Sequence, residues 1–218
     1  MRPPLRVVVL ASGEGTTLEG LAAALAPVPE AARIVGVISD RPDVPALERA
    51  VRRGLSTEVV APDGDPPEKW AERLTAAIER RRADLVVLAG FLAILPPGWV
   101  ARWHGRAVNL HPSLLPRYGG KGMHGRRVHA AVLAAGERET GATVHLVSGD
   151  VDGGPAVAQA RLPVRPDDTP ETLRDRLRPV EIELLARTVR RFADGTLPLP
   201  YPGGAEPARE RAEPARRA

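Results

Sequence analysis

The chain has 218 residues, with 31 Lys and Arg against 27 Asp and Glu, no cysteine, and only 3% aromatic residues. That length suits one globular domain whose core needs no crosslink, and the lack of cysteine excludes disulfides, thiolate metal sites and a cysteine nucleophile. The few aromatics offer little for stacking bases and the arginines are interleaved with acids, so nucleic acid is not an expected partner. No apolar run could span a bilayer or serve as a signal peptide, so the expectation is a cytoplasmic protein with no membrane partner.

Residues 5–11, LRVVVLA, form a β-branched run that breaks at SGEGTT, and LEGLAAALA then carries apolar residues at helical spacing. This predicts a strand, a glycine turn and a helix. The cycle repeats with ARIVGVIS as strand, DRPDVP as turn and ALERAVRRG as a helix ended by Gly54, then with STEVVAP and the helix EKWAERLTAAIERRR. A fourth run, DLVVL at 84–88, stops at AGFLAILPP. Strands alternating with helices predict an α/β fold, a doubly wound, mostly parallel sheet with right-handed crossovers.

After Pro97 the pattern reads as a short helix, the strand RAVNLHP, a proline-rich loop and the helix HGRRVHAAVLAAG. TGATVHLVSGDVDGGPAVAQARLPV predicts a late antiparallel strand pair around an Asp- and Gly-rich loop. A long C-terminal helix follows, with Asp168 or Thr169 as N-cap, Pro170 in the first turn, and Pro179 placed to kink or split it. From Pro198 no apolar face remains, which divides the chain into a domain at 1–197 and a flexible tail at 198–218.

Three segments could carry chemistry. Ser12-Gly13-Glu14-Gly15-Thr16-Thr17 sits between strand and helix, where free amides and the helix dipole favour an anion such as phosphate. It is neither a Walker loop nor a full dinucleotide fingerprint, and a plain turn with Thr16 or Thr17 capping the helix is the competing reading. Asn109 and His111 stand two apart at a strand end, so both side chains point to one side, beyond the carboxyl edge where open α/β sheets bind ligands. Asp152, in Asp150-Val151-Asp152-Gly153-Gly154, would raise the His111 pKa if the two meet. His145 is expected to face the core. His124 and His129 lack a metal-ligand spacing, and no metal is expected. Arg80, Arg81 and Arg82, like Arg190 and Arg191, read as basic helix ends.

NLHPSLLPRYGGKGMHG, followed by ETGATVHLVSGDVDGGP, with AGFLAIL upstream, resembles the phosphoribosylglycinamide formyltransferases over residues 5–195. The resemblance implies a single-domain, Rossmann-like formyltransferase fold. It implies formyl transfer from 10-formyltetrahydrofolate, as co-substrate, to the amine of 5'-phosphoribosylglycinamide in purine biosynthesis. It places the catalytic trio on Asn109, His111 and Asp152, and the folate site on Leu92, Ala93, Ile94, Leu95, Asn109, Ser148, Gly149, Asp150, Val151 and Asp152. The ribonucleotide would meet Gly15, Thr16, Thr17 and Glu181. Two departures stand out: the glycine loop ends Thr16-Thr17 where the family has Ser-Asn, and a basic residue expected near the third helix has only Lys69 to represent it. Partners are small molecules, and the chain is expected to be a monomer or homodimer. The competing functions are a 10-formyltetrahydrofolate deformylase, which hands the formyl group to water, and a non-catalytic folate- or phosphosugar-binding module.

Overall fold

The computed structural model describes residues 3–202 and 208–211. Five strands run parallel: β1 (Leu5–Leu10), β2 (Ala32–Ser39), β3 (Thr57–Val59), β4 (Leu85–Leu88) and β5 (Ala107–His111). Next, β6 (Glu139–Leu146) pairs antiparallel with both β5 and β7 (Ala156–Pro163). The order across the sheet is β3-β2-β1-β4-β5-β6-β7, and β8 (Ala208–Arg211) adds in parallel beside β7. Helices α1 (Thr16–Leu25), α2 (Pro45–Arg52), α3 (Pro67–Arg80), α4 (Pro97–Arg102), α5 (Arg126–Ala134) and α6 (Pro170–Ala193) connect and cover the strands.

Successive residues of a strand face opposite sides, and β1 is buried on both. Val7 and Val9 join a core completed by Leu18 and Leu21 of α1 and by Leu184 and Leu185 of α6. Val8 and Leu10 join a second core with Trp70, Leu74 and Ile78 of α3, Trp99 of α4 and Trp103 just after it. Each such side chain removed from water contributes roughly 1.5–3 kcal/mol. The indole of Trp70 stays satisfied there by donating to the Val60 carbonyl at 2.8 Å. From β1 the chain first builds outward to β2 and β3 and then returns to β4 on the other side, so the strand order reverses between β1 and β4. A crevice at that reversal, above the strand ends, is where such sheets hold ligands.

Two local expectations are corrected, and a choice between two N-caps is decided. Neither Thr16 nor Thr17 caps α1; the N-cap is Gly15, at φ 72, with no side-chain cap bond. Glycine is required there, because a Cβ would lie 2.5 Å from Ala46 Cα. Pro179 does not split α6, which runs through 24 residues. Its ring is on the exposed side, while Leu173 and Leu177 before it and Leu184 and Leu185 after it bury the opposite face. Thr169, not Asp168, caps α6, in a reciprocal box with Thr172. Asp168 instead takes an ion pair from Arg176.

The stretch expected to be a tail from 198 stays packed at its start. Tyr201 is buried against Phe192, ring centroids 6.2 Å apart, and its amide donates to the Gly105 carbonyl at 2.8 Å. Leu199 packs against the same core, so the Pro-Leu-Pro-Tyr-Pro stretch is held by its two large apolar side chains. The rest of that stretch, apart from β8, lies outside the described residues.

Candidate active site

Asn109 and His111 rise from β5, and the loop between β6 and β7 brings Asp152 back over them. Asp152 has φ 56, a left-handed backbone that aspartate tolerates better than most residues and that turns its carboxylate toward β5. One oxygen, Oδ2, lies 3.3 Å from His111 Nδ1 and accepts the Gly120 amide at 3.0 Å. The other, Oδ1, accepts from Asn109 Nδ2 at 3.3 Å and lies 3.5 Å from His145 Nε2. The carboxylate therefore joins three side chains from two strands and the backbone of the glycine-rich loop.

His145 faces this site rather than the core. It stands opposite Asn109 in the β5–β6 register, with Nε2 at 3.0 Å from Asn109 Nδ2 and Nδ1 at 2.9 Å from the Leu146 carbonyl. A carbonyl can only accept, so Nδ1 carries the hydrogen and Nε2 accepts from Asn109. That choice orients the Asn109 amide with its nitrogen toward His145 and Asp152. By the same reasoning, His111 donates from Nε2 to the Tyr118 carbonyl at 2.8 Å.

The charge balance at His111 reverses the expectation. Burial pushes its pKa below the ordinary value; Asp152 and the Tyr118 carbonyl oppose this without overcoming it. Burial would likewise raise Asp152, but the His145 and His111 rings beside it and the Gly120 amide together hold its carboxyl below the usual range. The free site thus keeps an ionised carboxylate beside a histidine that favours neutrality. Proximity of opposite charge, which the sequence suggested, is outweighed by loss of water.

Two cavities meet at these residues. The larger, about 740 Å³, is lined by Gly15, Thr16 and Thr17 on one side and by Glu181 on α6. The smaller, about 120 Å³, gathers Leu92, Ala93, Ile94, Leu95, Ser148, Gly149, Asp150 and Val151. Asn109 and Asp152 border both. Ser12 couples their walls, since its buried hydroxyl accepts the Leu92 amide at 2.8 Å. Leu92, Ile94 and Val151 expose an apolar rim, 43%, 64% and 44% accessible, beside the smaller cavity.

Glu181 is half-buried, and burial raises its carboxyl to about 7 against the opposing field of Arg178. Arg174 and Arg178 line the same cavity, as do Lys121 and His129. The two arginines stand seven and three residues before Glu181 on α6, a helical spacing that could have revealed them once Glu181 was singled out. Lys69 is not among the lining residues and instead pairs with Asp65 at 3.0 Å. Arg80 and Arg81 hold Glu58 of β3, at 2.6 Å each. Among the described residues, no group of three or more His, Asp or Glu is placed to hold a metal ion, and no helix is long and apolar enough to cross a membrane.

A polar trio lies at the mouth of an α/β crevice, between the glycine turn that opens α1 and an apolar slot, and the fold that carries it is that of a formyl transferase-type enzyme. The family model described as formyl transferase matches residues 5–189. A phosphoribosylglycinamide formyltransferase of Mycobacterium tuberculosis is 42% identical over 192 residues, covering 87% of this chain and 86% of the relative. The trifunctional purine biosynthetic protein adenosine-3 of Drosophila melanogaster is 39% identical over 88% of this chain, which spans only 14% of that relative's length. The solved phosphoribosylglycinamide formyltransferase of Coxiella burnetii superposes with a TM-score of 0.83 at 38% identity, covering 89% of each chain. The chain belongs to the formyl transferase family, in its phosphoribosylglycinamide formyltransferase branch.

Proposed function

We propose that the protein transfers the formyl group of 10-formyltetrahydrofolate to the primary amine of 5'-phosphoribosylglycinamide, in the cytoplasm, as a step of purine synthesis. The observation that carries this reading is the position of Asn109 and Asp152 on the boundary of two cavities of different character. The slot of Leu92–Leu95 and Ser148–Asp152 suits a flat heterocycle, with apolar walls and backbone groups for its polar edge. The Gly15–Thr17 amides at the start of α1 suit a phosphate, and the Glu181 carboxyl suits ribose hydroxyls. The amine and the formyl carbon would then meet beside the trio.

In this reading the amine nitrogen bonds to the formyl carbon, and the carbonyl oxygen becomes an oxyanion. Asn109 Nδ2 keeps one hydrogen on His145 and turns the one it gives Asp152 to that oxygen, and His111 turns its Nε2 hydrogen from the Tyr118 carbonyl to the same atom. Such preorganised donors are each worth ~10²–10³ in kcat. Asp152, ionised in the free site, accepts a proton from the attacking amine and passes it, directly or through water, to N10 as the carbon–N10 bond breaks. Holding two substrates at one junction supplies roughly 7–11 kcal/mol of the barrier by proximity, so the Gly15 turn contributes to rate without touching a reacting atom. His145 is a positioning residue that keeps the Asn109 amide turned inward.

The test is a spectrophotometric assay of 10-formyltetrahydrofolate consumption with and without phosphoribosylglycinamide, with His111→Ala as control. Turnover that needs the ribonucleotide and disappears in the variant supports the transferase. Turnover with water alone makes the protein a hydrolase, and folate binding with no turnover makes it a binding module.

A further inference from the structure

Gln159 of β7 borders neither substrate cavity, yet it is buried and both hydrogens of its amide are engaged. Residues directly opposite each other in neighbouring strands share a face of the sheet. His111 stands opposite Thr143 across β5–β6, and Thr143 opposite Gln159 across β6–β7, so the three side chains form one row. Gln159 Nε2 donates to the Leu115 carbonyl and to Thr143 Oγ1, each at 3.0 Å. Thr143, wholly buried, donates to the Ser113 carbonyl at 2.7 Å, and its two lone pairs accept Gln159 and the Leu115 amide, the latter at 3.1 Å. Two strands thus grip the backbone of residues 113–115 through a fully satisfied network. That backbone leads into the loop that serves the catalytic trio. The Ser113 hydroxyl donates to the Arg117 carbonyl at 2.6 Å, the Tyr118 carbonyl accepts from His111 Nε2 at 2.8 Å, and the Gly120 amide donates to Asp152 Oδ2 at 3.0 Å. Tyr118 has φ 59, a left-handed backbone that a bulky residue keeps only where its surroundings over-determine it.

We propose that Gln159 is a positioning residue that, through Thr143 and the Ser113–Leu115 backbone, fixes the Tyr118 carbonyl against His111 and so selects the ring tautomer with its hydrogen on Nε2. Its effect on rate rests on the transferase reading; its hold on the His111 ring does not. With the carbonyl in place, the hydrogen sits on the nitrogen that turns to the oxyanion. Once the carbonyl drifts, the competing tautomer gains, because Asp152 Oδ2 lies 3.3 Å from Nδ1 and accepts a hydrogen placed there. Nε2 is then left with a lone pair, and the donor to the oxyanion is lost. A shift of about 1 Å transmitted from outside the site can cost about 10² in rate.

The experiment joins nitrogen-15 NMR of the histidine rings in the full chain at pH 8, where burial keeps His111 neutral, to kinetics of formyl transfer, with His111→Ala identifying the signal. Gln159→Met keeps the length and removes the donors. Thr143→Val removes the hydroxyl at equal shape, and Thr143→Ser retains it. The hydrogen should sit on Nε2 in the wild type and Thr143→Ser, and pass in part to Nδ1 in Gln159→Met and Thr143→Val. In those two, kcat per folded molecule should fall on the order of tenfold to a hundredfold. Both KM values should hold, since neither residue borders a substrate cavity. A wild-type ring with its hydrogen on Nδ1 overturns the proposal. So does a Gln159→Met protein that is less stable but keeps the wild-type tautomer and kcat, since Gln159 would then serve folding alone. If Gln159→Met does not fold, the Thr143 pair decides, and equal tautomer and kcat in the valine and serine variants overturn it. Ribonucleotide-dependent turnover with an unshifted ring in every variant refutes the positioning and leaves the transferase. A shifted ring in a chain without formyl transfer upholds the positioning and removes the transferase.

Discussion

Replacing Glu181 by glutamine tests the electrostatics of the larger cavity. The carboxyl titrates at about 7 in the folded chain, against an ordinary 4.5, because burial penalises its charge more than Arg178 favours it. The folded state therefore holds a proton that the unfolded chain releases. Since the folded value is the higher one, the associated stability is fully present below pH 4.5 and is lost as the pH rises through 7. With about 1.4 kcal/mol for each tenfold difference in proton affinity, the loss reaches about 3 kcal/mol by pH 8. Glutamine keeps the shape and cannot ionise. Urea unfolding of both proteins at several values between pH 4.5 and 8 should show the variant gaining on the wild type as pH rises, with most of the gain between about 4.5 and 7 and little beyond. Parallel stability curves would mean that the Glu181 carboxylate is ionised and well solvated in the folded chain, and the account of its burial would be wrong.

Asn109→Ala and His111→Ala should each lower kcat by ~10²–10³ with little change in folate affinity, measured in the coupled formyl-transfer assay; near-wild-type turnover in either removes that residue from the catalytic trio. His145→Ala takes the acceptor from the Asn109 amide, so kcat should fall on the order of tenfold while KM for the amine substrate holds. His145→Gln, whose amide oxygen can accept, should recover part of that loss, and equal rates in all three proteins would show that the Asn109 orientation is set elsewhere. Gly15→Ala combines a left-handed backbone with a Cβ 2.5 Å from Ala46 Cα, which should cost more than about 1 kcal/mol in thermal or urea unfolding. It should also raise KM for the amine substrate more than it changes kcat, and unchanged stability would show that the α1–α2 contact yields freely.

Patterns that act over a few residues carried much of the fold. Runs of β-branched residues alternating with amphipathic helices specified the parallel sheet, and the loop at residues 12–17 marked the start of α1, because backbone propensity and burial of one face are local properties. The residues from Asn109 to Gly125 and from Glu139 to Pro155 carried the family resemblance because they are contiguous stretches of chain. What required the tertiary structure were the effects of distant neighbours. His145 meets Asn109 only through the β5–β6 register, 36 residues away in the chain. His111 is drawn below its ordinary pKa although Asp152 stands beside it, because desolvation depends on everything packed around the ring. Tyr201 holds the stretch expected to be a tail because Phe192 and Gly105 happen to be there. Strand and helix follow from the covalent sequence of near neighbours, whereas tautomer, charge state and cavity follow from burial, and burial is decided only when the whole chain has closed on itself.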